Sequence, residues 1–416
     1  MIFPAPSSFV LGGTVLWGED LSPQPDCRVL VSGGRIDRLL DPGETVPSGI
    51  PSYEFVGATI LPGLIDTHCH LTLPGDGRDV DRFLLEATNE ELVRLGVRNA
   101  RDGLLGGVTT FRDLGARGTT GFDVVRALDK AEDPVPRVIA SGPVITPPRG
   151  HGWTFGVEVQ AVEKLQGTVH CLKEQGAGVI KVMASGGSTP GTKTWQPAFG
   201  VPELQAVVDA ARRCDLPVAA HVSCPQAAAW CLDVGVDDIE HLNLWSDDTY
   251  TNRIDPSMLD RVARQGVFVG PTLQTPYRIL HMAAEAEDPR AEVRARLYQD
   301  VVENFERFVE AELRLIAGSD AGFLVTRFDE LHLGLRLMVE HGLSAQRALR
   351  TATVEAAAAL RLETKVGSLQ PGLDADILIV EGDPLRDIKA LENVRSVFVR
   401  GQEVRLHRQE QLGQPE

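Results

Sequence analysis

The sequence predicts an α/β fold, a (β/α)8 barrel joined to a small β-sandwich domain that is built from both chain ends. Short apolar segments alternate with segments of helical period through the middle of the chain, and strand-like segments cluster at both ends. Alternating strands and helices favour parallel strands with crossover connections. About eight such units over roughly 300 residues fit a closed barrel.

The two chain ends contain short β-branched and apolar segments that turn residues bound. These predicted strands are Val29–Val31, Arg35–Leu40, Asp376–Val380 and Val394–Val399. Neither end could build much core alone, so we expect the two ends to pair. The expected boundaries are residues 1–59 and 362–416 for the two parts of the sandwich and residues 60–361 for the barrel.

The barrel units follow one another without an internal repeat. The predicted strands are Ile60–Asp66, Val108–Asp113, Arg137–Ser141, Val179–Ala184, Val218–Val222, Asp238–His241, Val267–Pro271 and Leu313–Gly318. The predicted helices are Asn89–Leu105, Gly121–Ala131, Ala161–Gln175, Val201–Cys214, Pro225–Asp233, Asp255–Arg264, Glu292–Glu310 and Ser344–Leu360. An open doubly wound sheet is the alternative, but no Gly-x-Gly-x-x-Gly opens a helix after an early strand, so its dinucleotide-binding form has no support.

Composition narrows the class of partner. The net charge of −17 argues against nucleic acid and against anionic membranes as partners, and assembly into a homo-oligomer is left open. The six cysteines are scattered without a Cys-x-x-Cys pair, as in proteins with reduced, buried thiols. The sequence has neither a signal peptide nor a long apolar segment, so we expect a cytoplasmic location.

A His-x-His pair ends the first barrel strand. Residues two apart on a strand share a face, so His68 and His70 can bind one metal ion together. Polar residues also end or interrupt later strands, where catalytic groups of such barrels lie. These residues are Lys181, His221, His241 and Asp320.

Four imidazoles and a carboxylate are ligands of the kind that zinc uses in catalytic sites. A lysine joins such a set if its neutral amine has reacted with carbon dioxide, because the resulting carbamate can bridge two metal ions. Six ligands are also more than one tetrahedral zinc ion takes. The residues therefore predict two divalent ions, with zinc expected, and a carboxylated Lys181.

The chain resembles the amidohydrolase superfamily in its binuclear, carboxylated-lysine form. The matching segments are Leu61–His70, Gly107–Gly115, Ile180–Gly187, Ile239–His241, Gly318–Ala321, Gly367–Asp376 and Gly382–Leu385. Within it, Ala140-Ser141-Gly142-Pro143 and Gly150-His151-Gly152 resemble the prolidase-like branch. That branch cleaves dipeptides and N-acyl amino acids, so the resemblance implies a small-molecule amide substrate as the partner.

The resemblance implies roles for the candidate residues. His68, His70 and Asp320 would hold the more buried ion, His221 and His241 the other, and Lys181 would bridge both. A hydroxide shared by the two ions would attack the amide carbonyl, with Asp320 as the proton shuttle. His151 would contact the developing oxyanion.

Several alternatives remain open from the sequence. Ser223 stands where many of these dipeptidases carry a tyrosine, so a carbamate, urea, aryl amide or ester could be the substrate instead. A single metal ion with unmodified Lys181, or a catalytically silent binding protein, are further alternatives. Three arginines are candidates for binding a substrate carboxylate, namely Arg149, Arg278 and Arg327. We expect Arg112 and Asp113 to form a structural pair. Cys69 and Cys224 are expected to be packing residues.

Overall fold

The structure of the protein, a computed structural model, describes residues 8–246, 251–285 and 290–405. The outermost parts of the predicted sandwich, residues 1–7 and 406–416, therefore lie outside the described residues, as does His407.

Four strands begin the chain. They are β1 (Ser8–Trp17), β2 (Ser22–Ser32), β3 (Arg35–Leu40) and β4 (Ser52–Pro62). β2 pairs antiparallel with both β1 and β3, and β4 runs parallel to β1. The second half of β4 is buried and apolar, and Pro62 and Gly63 lead directly into the first barrel strand.

The strands of the central region are β5 (Leu64–Cys69), β6 (Val108–Asp113), β7 (Arg137–Ala140), β8 (Val144–Thr146), β9 (Gly156–Glu158), β10 (Ile180–Met183), β11 (Val218–Val222), β12 (Asp238–His241), β13 (Trp245–Ser246), β14 (Thr251–Asn252), β15 (Phe268–Gly270) and β16 (Arg314–Leu315). Parallel pairing runs from β5 through β6 to β7. A second run of parallel pairs leads from β10 through β11, β12 and β15 to β16.

Two backbone hydrogen bonds close these strands into a barrel. Gly178 N donates to Ala140 O at 3.0 Å, which links β7 to β10. Thr67 N donates to Ala317 O at 2.9 Å, which links β5 to the segment after β16. The predicted (β/α)8 barrel is therefore confirmed, with its strands buried on both faces as parallel strands usually are.

The helices that surround the barrel are α1 (Val80–Glu86), α2 (Asn89–Leu105), α3 (Thr120–Asp129), α4 (Val162–Gln175), α5 (Val201–Arg213), α6 (Pro225–Val234), α7 (Pro256–Gln265), α8 (Gln274–Glu285), α9 (Ala291–Glu310), α10 (Leu331–Glu340), α11 (Ala345–Thr351) and α12 (Val354–Ala359). Local sequence explains their ends. α2, for example, begins with a capping box, in which Glu91 N donates to the Thr88 hydroxyl and Thr88 N donates to the Glu91 carboxylate.

The prediction of one helix over Ser344–Leu360 was wrong. The helical path breaks at Thr353, whose φ of −136° and ψ of −93° lie outside the helical region, and α11 and α12 form instead. The buried Thr353 hydroxyl donates to Leu349 O, a local bond that competes with helix continuation. α1, α8 and α10 were not among the predicted helices.

The C-terminal strands are β17 (Ile377–Glu381), β18 (Val394–Val399) and β19 (Gln402–Glu403). β17 pairs antiparallel with β4, so both chain ends share one seven-stranded sheet. The rings of Phe9 and Phe398 stack at 5.5 Å, which places the two wings of the sheet around one core. Strands from both ends thus form the small domain, while its exact boundaries stay a prediction.

Arg137 anchors this domain to the barrel. Its guanidinium lies 2.8 Å from Asp374 and 3.0 Å from Asp376.

All six cysteines are free thiols, and Cys69 and Cys224 are buried as expected of packing residues. Among the described helices, none is both long and apolar enough to cross a membrane.

Candidate active site

The imidazoles that the sequence analysis singled out form a continuous arc at the C-terminal ends of the barrel strands. Ring centroids are separated by 4.6 Å for His151–His221, 4.8 Å for His221–His241, 5.1 Å for His241–His68 and 5.4 Å for His68–His70. The structure therefore brings together histidines that are more than 170 residues apart in the chain.

His68, His70 and Asp320, here called the inner trio, are the most tightly gathered group. One ligand atom from each lies within 4.8 Å of the others, and all three side chains are buried. The Nε2 atoms of His68 and His70 lie 3.5 and 3.4 Å from Asp320 Oδ1. Such a set of two imidazoles and one carboxylate suits a divalent ion.

The opposite nitrogen of each imidazole in the inner trio faces an acceptor. His68 Nδ1 lies 2.8 Å from Glu240 Oε2, and His70 Nδ1 lies 3.2 Å from Gly115 O. A carboxylate or a carbonyl oxygen can only accept, so each Nδ1 carries the proton. Each Nε2 is left with a free lone pair toward Asp320, as a metal ligand requires.

A buried arginine supports this arrangement. Arg112 donates to Asp238 at 2.8 Å, to Glu240 at 2.7 Å and to Thr67 O at 2.6 Å. The predicted pairing of Arg112 with Asp113 was therefore wrong, because the guanidinium crosses the barrel interior to carboxylates on β12. Asp113 instead accepts from the backbone N–H of Gly115.

Sequence reasoning missed Glu240 and Asp238 as supporting groups. The signal was present, since two carboxylates two residues apart share a face of a buried strand. Two buried carboxylates on one face require a cation.

His221 and His241, here called the outer pair, are less completely arranged. His241 has a left-handed backbone conformation with φ of 69°, and its Nδ1 lies 2.7 Å from the Thr272 hydroxyl. His221 Nε2 lies 3.2 Å from Gly186 O and 3.1 Å from the Ser223 hydroxyl. One nitrogen of His221 is thus already engaged by protein groups.

Lys181 lies on β10 beside the histidines and is buried. Among the described residues its Nζ has no hydrogen-bond partner. Burial, opposed by Glu240 and Asp238, lowers the pKa of Lys181 to about 8. A neutral amine without a partner is the form that reacts with carbon dioxide, so the residue fits the predicted carbamate.

Burial also keeps the imidazoles neutral. It lowers the pKa of His68, His221 and His241 well below the ordinary value and that of His151 to about 4. Burial alone would raise the pKa of Asp320, but its neighbours His70, His68 and Lys181 favour the ionised carboxylate and lower the pKa further than burial raises it. Neutral imidazoles beside an ionised carboxylate fit a cation.

The predicted substrate contacts differ in availability. Arg278 and Arg327 are paired with Glu330 and Asp329. The Arg149 guanidinium stacks over Trp153 at 3.8 Å, and no carboxylate in the described part of the chain pairs with it. The Ser223 hydroxyl is buried against His221. The roles of these residues, and those of the candidate ligands, stay predictions.

Comparisons with known proteins agree with this architecture. The model of the amidohydrolase family matches residues 59–404. A prolidase solved with N-methylphosphonate-L-proline is 26% identical, with a TM-score of 0.83 and coverage of 95% of this chain and 99% of the other. A Xaa-Pro dipeptidase solved with methionine in its active site is 24% identical, with a TM-score of 0.83 and coverage of 96% and 100%.

A curated relative, the ochratoxinase of Aspergillus niger, is 23% identical over 376 residues, which cover 81% of this chain and 73% of the relative. The family match extends over the barrel and the C-terminal strands of the small domain, β17, β18 and β19. The chain therefore belongs to the amidohydrolase family and is a hydrolase.

Proposed function

We propose that the protein hydrolyses an amide bond in a dipeptide or an N-acyl amino acid, with two divalent metal ions, zinc being the expected metal. The convergence of four strand-end histidines, Asp320 and the unpartnered Lys181 amine in one buried site supports the proposal. The inner trio would hold one ion, the outer pair the other, and carboxylated Lys181 would bridge both. When bound, such ions supply Lewis acidity that activates water and polarises a carbonyl.

The residues of the chain carry the proton and orient the substrate. The Asp320 carboxylate accepts a proton from the attacking water and delivers it to the leaving nitrogen. Thr275, whose hydroxyl lies 3.4 Å from Asp320 Oδ2, leaves Oδ1 directed toward the two imidazoles of the inner trio. His151 donates a hydrogen bond to the carbonyl oxygen as negative charge develops there.

The substrate class depends on a carboxylate next to the scissile bond. Of the three candidate arginines, Arg149 is the one that forms no ion pair within the described residues, and it precedes His151 by two residues. A guanidinium is suited to bidentate recognition of a carboxylate. The prolidase with its proline phosphonate is a relative for which such a ligand is known.

A panel of substrates tests the proposal. Metal-loaded protein is given N-acyl amino acids, dipeptides, the corresponding amino-acid amides, aryl amides, carbamates, ureas and esters, and the released amine is quantified. We expect the highest kcat/KM for a substrate with a free carboxylate, and a strong rise in KM when that carboxylate is amidated or when Arg149 is replaced by Ala. Faster turnover of neutral carbamates, ureas or aryl amides would overturn the peptidase assignment. It would favour the alternative substrates that Ser223 leaves open.

A further inference from the structure

Thr189, in the loop between β10 and α5, contacts His151 directly. Its hydroxyl lies 2.8 Å from His151 Nδ1 and accepts a hydrogen bond from Gly152 N at 3.0 Å. Thr189 is buried, whereas His151 is half-buried. The contact bridges the loop after β8 and the loop after β10.

The hydrogen-bond partners of the Thr189 hydroxyl determine the tautomer of His151. The Thr189 oxygen accepts from Gly152, and the described residues offer its single hydroxyl proton no acceptor other than His151 Nδ1. A buried hydroxyl proton without an acceptor is costly. The proton therefore goes to Nδ1, and the neutral ring carries its own proton on Nε2.

The loop that carries Thr189 is held by its own hydrogen bonds. Gly186 N donates to Gln196 O at 3.0 Å, and Ala198 N donates to Ala184 O at 2.9 Å. The Thr192 hydroxyl donates to Thr189 O at 2.9 Å. Thr189 is thus presented from a braced loop, which limits the positions that the His151 ring can adopt.

Gly187 keeps the other side of the ring open. A Cβ at this position would lie 2.5 Å from both Nε2 and Cδ2 of His151, so any side chain would push the imidazole away. The space beside the Nε2–H group therefore exists because residue 187 is a glycine.

We propose that Thr189 is a positioning residue that fixes His151 as an Nε2–H donor toward the substrate carbonyl, with Gly187 keeping room for that contact. The inference rests on the proposed function in one respect, the assignment of His151 to the carbonyl. The tautomer itself follows from the contacts of Thr189 and does not depend on any substrate.

The experiment has a structural and a kinetic readout. Nitrogen-15 NMR of histidine-labelled, metal-loaded protein, with His151 assigned by comparison with H151Q, should report a protonated Nε2. Thr189→Val should shift His151 toward a mixture of tautomers. It should also lower kcat toward the roughly 100-fold loss that follows removal of one oxyanion donor, with a smaller change in KM. Thr189→Ser should restore both readouts, and Gly187→Ala should lower kcat by displacing the ring.

Matched controls separate positioning from loop damage. Thr194 lies in the same loop and its buried hydroxyl has no described partner, so Thr194→Val should leave both readouts unchanged. In an H151A background Thr189→Val should cost less than about twofold, because the two residues act through one contact. A protonated Nδ1 in the wild-type protein, or undiminished kcat in folded Thr189→Val, would overturn the inference. A wild-type protein with the Nε2–H tautomer but without turnover of any N-acyl amino acid or dipeptide would overturn the proposed function alone.

Discussion

The inner trio and the outer pair lie side by side at the C-terminal ends of the barrel strands but differ in how completely the protein arranges them. In the inner trio, each imidazole has its Nδ1 bound to a fixed acceptor and its Nε2 directed at Asp320. In the outer pair, one His221 nitrogen is bound to Gly186 O and Ser223, and His241 Nδ1 lies against a hydroxyl, that of Thr272, instead of a fixed acceptor. The folded chain therefore fixes the imidazoles of the inner trio more completely than those of the outer pair.

Burial explains part of this difference. The groups behind the inner trio, Glu240, Arg112 and Asp238, form a buried network of charged partners. Hydrogen bonds to charged groups in such surroundings are strong and directional. Behind the outer pair the structure offers hydroxyl and carbonyl groups, which hold an imidazole less firmly. We therefore expect the first metal ion to bind to the inner trio.

The largest effect should come from removing a member of the inner trio. His68→Ala should reduce kcat/KM by about 10,000-fold, because several kcal/mol of charge stabilisation are lost with the metal site. The bound metal should fall from two ions to at most one, as elemental analysis would measure. His281→Ala, which replaces an exposed histidine on α8, is the control and should keep full activity and metal content. Full activity of folded His68→Ala would remove the inner trio from the reaction.

The second effect distinguishes the inner trio from the outer pair. Lys181→Ala should leave the inner trio able to hold one ion and should lower kcat/KM by about 1,000-fold, since the bridging carboxylate is lost. Added short-chain carboxylates should restore part of the second ion and part of the activity. Elemental analysis and a crystal structure of the metal-loaded wild-type protein provide the measurement. Density for an unmodified Lys181 amine beside two bound ions would contradict the carbamate.

The third prediction compares a group that orients an imidazole of the inner trio with one that orients an imidazole of the outer pair. Glu240→Gln should weaken binding of the first ion, and Thr272→Val should weaken binding of the second, each by about 10- to 100-fold, as expected for groups that orient metal-binding imidazoles. Stepwise titration against a competing chelator would measure both affinities. If Glu240→Gln weakened the second ion alone, the assignment of the first ion to the inner trio would be wrong.

The smallest effect concerns the pH dependence of stability that arises from the buried carboxyl of Asp113, near His70 of the inner trio. Burial raises the pKa of Asp113 to about 7, so the folded protein prefers the protonated carboxyl. Its contribution to the free energy of unfolding is present below the ordinary pKa of 3.8 and is lost as pH rises through about 7.

Asp113→Asn, a neutral group of the same shape, should therefore raise the melting temperature of the metal-free protein at pH 8 more than at pH 5. Thermal unfolding at both pH values measures the difference, and Asp129→Asn, at an exposed position of α3, is the control. An equal shift at the two pH values would mean that Asp113 is already ionised in the folded protein.

The sequence alone predicted well where individual residues lie along their strands. The His-x-His pair, Lys181, His221, His241 and Asp320 were all identified at or near strand ends, because strand period and chain order determine where a side chain lies along a barrel strand. β3 and β18 have the predicted bounds. The pairing of the two chain ends followed from the lack of core in either end alone.

Contacts between distant segments were decided only by the tertiary structure. The sequence placed Arg112 beside Asp113, but barrel closure brings it to Asp238 and Glu240, more than 120 residues later. Thr189 reaches His151 only because two loops meet above the barrel. Local periodicity determines the face of a strand on which a residue lies, whereas the partner across the barrel depends on strand register and loop closure, which no short stretch of sequence encodes.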